Sequence, residues 1–150
     1  MLERSKRRVI LDTSVYVAAL IAEKGPSAEV LELLIEKEVF NFNTAEILEE
    51  VKDVIGREKF AIPKEKQQHL IHLIQEVAFE ILQLEQFKVK QCRDPKDDKF
   101  LSLAKQVEAD YLITWDEDLL VIGRIGNTKV VTPGEFLAIL SRTTGQRPVA

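Results

Sequence analysis

The sequence predicts an α/β domain built on a parallel sheet covered on both faces. Two observations carry this: short apolar runs rich in β-branched residues recur along the chain, and segments of helical periodicity separate them. Val9-Ile10-Leu11 is the first such run, closed by Asp12-Thr13-Ser14, and reads as a buried parallel strand. A helix is expected from Ser14 to Ala22. Gly25-Pro26-Ser27 breaks it, and Ala28 to Lys37 resumes with Val30, Leu31, Leu34 and Ile35 at helical spacing. Val39-Phe40-Asn41-Phe42 reads as a short strand. Asn43 followed by Glu46 is a capping-box pattern opening a helix to about Arg57, and Pro63 suits the first position of another whose apolar face is Leu70, Ile71, Ile74, Val77 and Ala78. Glu80 to Leu84 is a candidate strand. Asp97 to Glu108 is helical, Tyr111 to Thr114 a strand, Leu119 to Ile122 a short helical turn, and Lys129-Val130-Val131 the last strand. Thr132-Pro133-Gly134-Glu135 is a capping box with proline at N1, opening a helix to Leu140.

With 150 residues the chain fits one domain, expected over 1–142, with 143–150 as a tail lacking apolar period. Apolar residues at 45% and charged residues at 31% describe a globular protein, not a disordered one. The longest apolar stretch, Val15 to Ala22, is too short to span a bilayer, and the charged opening segment leads directly into the first strand, so a cytoplasmic location and no membrane partner are expected. Cys92 is the only cysteine, which excludes an intrachain disulfide and a thiolate metal cluster. The net charge of −4 does not exclude a nucleic-acid partner. Setting aside one carboxylate from each of the four acidic stations described next leaves a neutral remainder, and a bound cation would make that pocket attract phosphate.

Four acidic stations carry the chemistry: Asp12, the Glu49-Glu50 pair, Asp94-Pro95-Lys96-Asp97-Asp98, and Asp116-Glu117-Asp118. Converging carboxylates repel one another unless a cation lies between them, and hard divalent ions such as Mg²⁺ or Mn²⁺ prefer oxygen ligands. Helical phase selects within stations. Asp97 stands three, four and seven residues before Phe100, Leu101 and Ala104, in line with the apolar stripe, whereas Asp98 is rotated away. Glu50 lies at the edge of the stripe formed by Ile47, Leu48, Val51, Val54 and Ile55; Glu49 faces nearly the opposite way, and Glu46 is used by the capping box. Asp12 closes an apolar strand, a costly place for a carboxylate unless it is paired or metal-bound, its simpler role being a cap for the next helix. Phase does not separate Asp116 from Asp118; Asp116 is favoured because it follows the strand directly, with Asp118 as an auxiliary ligand. In an open α/β sheet, ligands bind beyond the carboxyl ends of strands, where Asp12 and Asp116 fall.

Other features point elsewhere and are weaker. His69 and His72 have no third histidine to complete a zinc site, and Gly123 to Asn127 lacks dinucleotide-fingerprint spacing and reads as a turn. Trp115 is expected to be a packed aromatic more than a base-stacking one. Two basic groups, Arg4, Lys6, Arg7 and Arg8, and Lys88, Lys90, Arg93, Lys96 and Lys99, are candidates to track a phosphate backbone.

Taken in order, Ile-Leu-Asp-Thr-Ser, Glu-Ile-Leu-Glu-Glu-Val, Arg-Asp-Pro-Lys-Asp-Asp-Lys-Phe-Leu, Leu-Ile-Thr-Trp-Asp-Glu-Asp-Leu-Leu and Val-Thr-Pro-Gly-Glu-Phe-Leu resemble the PIN-domain family. The resemblance runs from Arg8 to Leu140 and is nearest to the branch of toxin components of toxin–antitoxin pairs, the VapC-like ribonucleases. It implies a three-layer α/β/α domain and Mg²⁺- or Mn²⁺-dependent cleavage of single-stranded RNA. It places the family's acids on Asp12, Glu50, Asp97 and Asp116, the small polar residue that orients the first aspartate on Ser14, and a site-lining threonine on Thr114. It also implies a homodimer and a small antitoxin protein as partner. Trp115 departs from the pattern, since many relatives carry glycine there. Two other readings compete. A haloacid-dehalogenase-like phosphatase wants a second aspartate where this chain has Ser14, and a catalytically silent PIN-like RNA-binding or protein-interaction module would not need all four stations filled.

Overall fold

The computed structural model describes residues 6–82 and 98–143. Its strands are β1 (Arg8–Leu11), β2 (Phe40–Asn43), β3 (Ala78–Glu80), β4 (Tyr111–Ile113), β5 (Arg124–Ile125) and β6 (Thr128–Val131). Its helices are α1 (Thr13–Ile21), α2 (Pro26–Ile35), α3 (Ala45–Ile55), α4 (Lys64–Val77), α5 (Asp98–Val107), α6 (Glu117–Leu120) and α7 (Pro133–Thr143). The strands form one sheet in the order β3-β2-β1-β4-β6-β5, parallel throughout except for the β5–β6 hairpin. This is the expected α/β/α architecture with a central, mostly parallel sheet. No helix among the described residues is long and apolar enough to cross a membrane.

The central strands are apolar because they are covered on both faces: Val9, Ile10, Leu11, Leu112 and Ile113 are at most 1% exposed. From β1 the sheet grows through β2 to β3, and the chain then returns to place β4 on the other side of β1. Helix α5, which precedes β4, packs against β1, β2 and β4, while α1 packs against α2 and α3. The β1–β4 seam is therefore the point at which the connection order reverses, the position where open α/β sheets leave a crevice.

Local chemistry sets the helix ends, and it moves several of them from where the sequence pattern puts them. Pro26 is the first residue of α2 instead of a breaker ahead of it. Lys37, in the left-handed region at φ 59°, ends that helix, with the Glu38 amide donating back to the Leu33 carbonyl at 2.9 Å. Thr44, not Asn43, caps α3: its side chain accepts from the Ile47 amide at 3.1 Å, while Asn43 Oδ1 accepts from the Thr44 amide. Glu46 is thus two residues after the cap and free of the expected box. Pro63 is the residue before α4, which begins at Lys64. The segment expected to be a strand over Glu80 to Leu84 pairs earlier, over Ala78–Glu80, where Phe79 meets the rings of Phe40 and Phe42. Gly123 to Asn127 is more than a turn, since Arg124–Ile125 pairs with β6 between glycines at φ 77° and 57°. The capping box of α7 forms as expected, Thr132 and Glu135 each accepting from the other's amide at 3.1 and 2.9 Å.

Phe136, fully buried on α7, packs edge-on against Tyr111 of β4 with ring centroids 5.3 Å apart and ties that helix to the sheet. Phe136→Ala is expected to destabilise the fold by about 3–5 kcal/mol. Urea unfolding should show this as a lower midpoint with an unchanged slope.

Candidate functional site

The β1–β4 register pairs Leu11 with Ile113, and the Asp12 amide extends the ladder by donating to the Ile113 carbonyl at 3.0 Å. The residues that follow each strand, Asp12 and Thr114, are thereby brought side by side. Asp12 precedes α1 but makes no side-chain capping bond to it, so the cap role does not account for this residue. Its carboxylate is 5% exposed, and Oδ2 accepts from both Ser14 Oγ and Thr114 Oγ1 at 2.7 Å. Each hydroxyl is itself oriented by a backbone amide: Trp115 N–H donates to Ser14 Oγ at 3.0 Å, and Asp116 N–H donates to Thr114 Oγ1 at 2.8 Å. With their oxygens occupied, both hydroxyls turn their protons to Asp12. Burial pushes the Asp12 carboxyl above its usual range; the two hydroxyl bonds pull it down, and the charges of Asp116 and Glu50 push it further up.

Glu50 comes from α3, as helical phase indicates: its side chain is 27% exposed, whereas that of Glu49 is 72% exposed and pairs with Lys52 at 3.3 Å. Both Glu50 oxygens are engaged. Thr13 Oγ1 donates to Oε2 at 2.5 Å, and Lys99 Nζ lies 2.5 Å from Oε1. Lys99, one of the candidate basic residues, is only 11% exposed and pairs with this acidic site. Neither Thr13 nor the role of Lys99 stands out in the sequence, because each acts on a partner 37 or more residues away. Asp97 lies outside the described residues; Asp98 opens α5 and is half-buried.

Asp116 has a local role as well. Its Oδ1 accepts from the Asp118 amide at 2.9 Å and caps α6. Asp116 lines the site's cavity together with Asp12 and Glu50, and Asp118 does not. That cavity measures about 690 Å³ and is also lined by apolar residues, among them Val17, Ile21, Val54 and Phe60. Trp115 is part of the same lining. It is 40% exposed instead of packed, with its indole Nε1 donating to Ser27 Oγ at 2.8 Å.

Among the described residues no three His, Cys, Asp or Glu side chains are grouped ready to hold a metal ion. The donor set nevertheless suits a hard divalent cation. Asp12, Glu50 and Asp116 offer only carboxylate oxygens, both hydroxyl bonds to Asp12 fall on Oδ2 so that Oδ1 accepts neither, and the neighbouring charges that raise the Asp12 carboxyl are those a cation would offset.

Two comparisons with known proteins bear on this site. The family model described as PIN domain matches residues 8–118, a span that contains Asp12, Glu50, Asp97 and Asp116. An uncharacterized protein of Methanocaldococcus jannaschii, MJ1680, is 29% identical over 153 residues covering 91% of this chain and 93% of that relative.

A raised carboxyl fixes the sign of a pH effect. The native state holds the Asp12 proton more tightly than the unfolded chain does, so without metal this group favours folding below the ordinary carboxylate range and loses that contribution as pH rises through its native value. Asp12→Asn, which removes the buried charge and keeps an oxygen for the two hydroxyls, is therefore expected to be more stable than the parent at neutral pH in EDTA. Urea unfolding at a series of pH values should show the gap closing toward pH 4; a gap independent of pH would contradict the assigned cause.

Proposed function

The chain belongs to the PIN-domain family, whose members are generally nucleases that use divalent metals, and on that premise we propose that it hydrolyses phosphodiester bonds of single-stranded RNA. The observation that most supports this is the Asp12 carboxylate: nearly buried, oriented by two hydroxyls, facing two further carboxylates, and without a capping role. A structural aspartate has no reason to carry that cost.

In this reading Asp12, Asp97 and Asp116 hold Mg²⁺ or Mn²⁺, with Asp118 supporting Asp116. Bound there, the ion would lower the pKa of a water and offset charge on the phosphate. The protein's own contribution is positional. Ser14 and Thr114 hold Asp12 in one orientation, and Thr13 and Lys99 hold Glu50 where its carboxylate can accept a proton from the attacking water. As water oxygen bonds to phosphorus, the phosphorus–oxygen bond to the leaving ribose oxygen breaks, and that oxygen keeps the electron pair and takes a proton from solvent water to leave as a hydroxyl. The proposal extends to a toxin of a toxin–antitoxin pair, acting as a homodimer under a small antitoxin protein; its toxic role rests on the resemblance alone.

Cleavage of a mixed RNA pool is expected in Mg²⁺ or Mn²⁺ and to be lost in EDTA. Asp12→Asn and Asp97→Asn should each lower the rate at least about hundredfold, the scale on which loss of a transition-state contact acts, while circular dichroism stays unchanged. A wild-type rate in either variant would sink the site assignment, and RNA binding without cleavage across several metals would leave a silent binding module.

A further inference from the structure

We infer that Trp115 is a nucleobase platform, stacking a base of the bound strand next to the phosphate held at the carboxylates. The inference rests on the nuclease reading for the position of that phosphate. The indole leaves two-fifths of its surface exposed, yet it is not loosely placed. Its ring is fixed by the 2.8 Å bond from Nε1 to Ser27, a residue only 3% exposed on α2, and its backbone by the bond to Ser14 Oγ. Both anchors are in place without ligand, so a base can stack on the ring without freezing a free side chain.

What the ring borders decides the ligand. The cavity is lined by Trp115, Phe60 and the aliphatic residues Val54 and Ile21, and also by the carboxylates Asp12, Glu50 and Asp116. The apolar part offers no cation to a phosphate or sugar, and the carboxylates repel an unaccompanied anion. A flat, neutral, aromatic group linked to a metal-held phosphate matches both halves, and a nucleotide unit has that make-up. The volume of about 690 Å³ lies within the range of small-molecule pockets and accommodates a base with its ribose phosphate. Trp115 is also next to Asp116 in the chain, and both line the cavity. Stacking is tolerant of base identity, because every base has a π-face. The expected preference is therefore for the presence of a base over its absence, with purines favoured through their larger area.

Trp115 is the chain's single tryptophan, so its fluorescence reports this site alone. The experiment titrates the wild-type protein, in Mg²⁺, with a six-nucleotide single-stranded RNA carrying non-hydrolysable phosphonate linkages and with an abasic chain of the same linkages, length and charge. Saturable quenching by the RNA and little by the abasic chain is expected; equal responses, or none, would overturn the inference. An apolar helical peptide that quenches where RNA does not would assign the cavity to a protein partner and overturn it equally. In the otherwise wild-type protein, Trp115→Ala should raise KM for RNA cleavage roughly 5- to 100-fold with a small change in kcat, the range that loss of a base–aromatic stack gives. Trp115→Phe, which keeps a ring but loses the Ser27 bond, should recover most of it. If both variants lower only the thermal midpoint and leave KM alone, the residue is structural. Cleavage with an unchanged KM in Trp115→Ala sinks this inference and spares the nuclease reading, whereas base-dependent quenching in a protein that never cleaves does the reverse.

Discussion

The structure around the site is organised by one constraint, a carboxyl group buried at the end of an apolar strand. Taking a carboxylate out of water costs several kcal/mol even after relaxation. Hydrogen bonds to a charged group return roughly 1.5–3 kcal/mol each. Two such bonds, from Ser14 and Thr114, therefore offset much of the cost of Asp12 without cancelling it, in accord with a carboxyl still held above its usual range. The remaining imbalance is made worse by Glu50 and Asp116. The arrangement is thus complementary to a positive ligand, and the fold carries part of the cost of that complementarity in its absence.

Charge at the neighbouring station is handled differently. Glu50 is more exposed than Asp12, and it has an ammonium as well as a hydroxyl against it. Lys99 comes from the second residue of α5, on the far side of the sequence from α3, so the ion pair joins the two helices across the site. Breaking a pair this sheltered would leave an uncompensated charge on whichever partner stayed behind. The site accordingly contains one carboxylate oriented by neutral donors and another neutralised by a cation. Asp12, with hydroxyl donors alone against it, lines the cavity together with Asp116. This asymmetry distinguishes the two residues, Asp12 held by hydroxyls alone and Glu50 by a hydroxyl and an ammonium.

Much of this was legible in the sequence because it depends on period and position. The alternation of apolar runs with helical segments gives the parallel sheet, and a strand-terminal acid in such a sheet falls at the crevice. Phase along α3 separates Glu50 from Glu49, and the exposures of the two side chains agree with it. The helix boundaries were less legible, for local reasons. Lys37 and Glu108 end helices at positive φ where a glycine would have marked the stop, and Thr44 competes with Asn43 for the cap one residue away. What the sequence could not give was pairing across distance. Thr13, Lys99 and Ser27 are ordinary residue types in unremarked positions, and each acquires its role only when the sheet brings a partner from another segment.

The Thr114-Trp115-Asp116 segment shows how one stretch of extended chain serves several ends. Successive side chains on extended backbone point to opposite sides. Thr114 therefore reaches Asp12, Trp115 reaches Ser27 on α2, and Asp116 turns back to cap α6 and line the cavity. The backbone amides of Trp115 and Asp116 meanwhile orient the two hydroxyls that hold Asp12. A shift of this segment by a fraction of a hydrogen-bond length would disturb the aspartate, the aromatic wall and the cap together. Its anchor is the Thr114 amide, bonded to the Val131 carbonyl of β6 at 2.9 Å. The position of β6 and the packing of α7 on β4 through Phe136 and Tyr111 therefore bear on the geometry at Asp12, although neither β6 nor α7 contributes a side chain to the site's cavity.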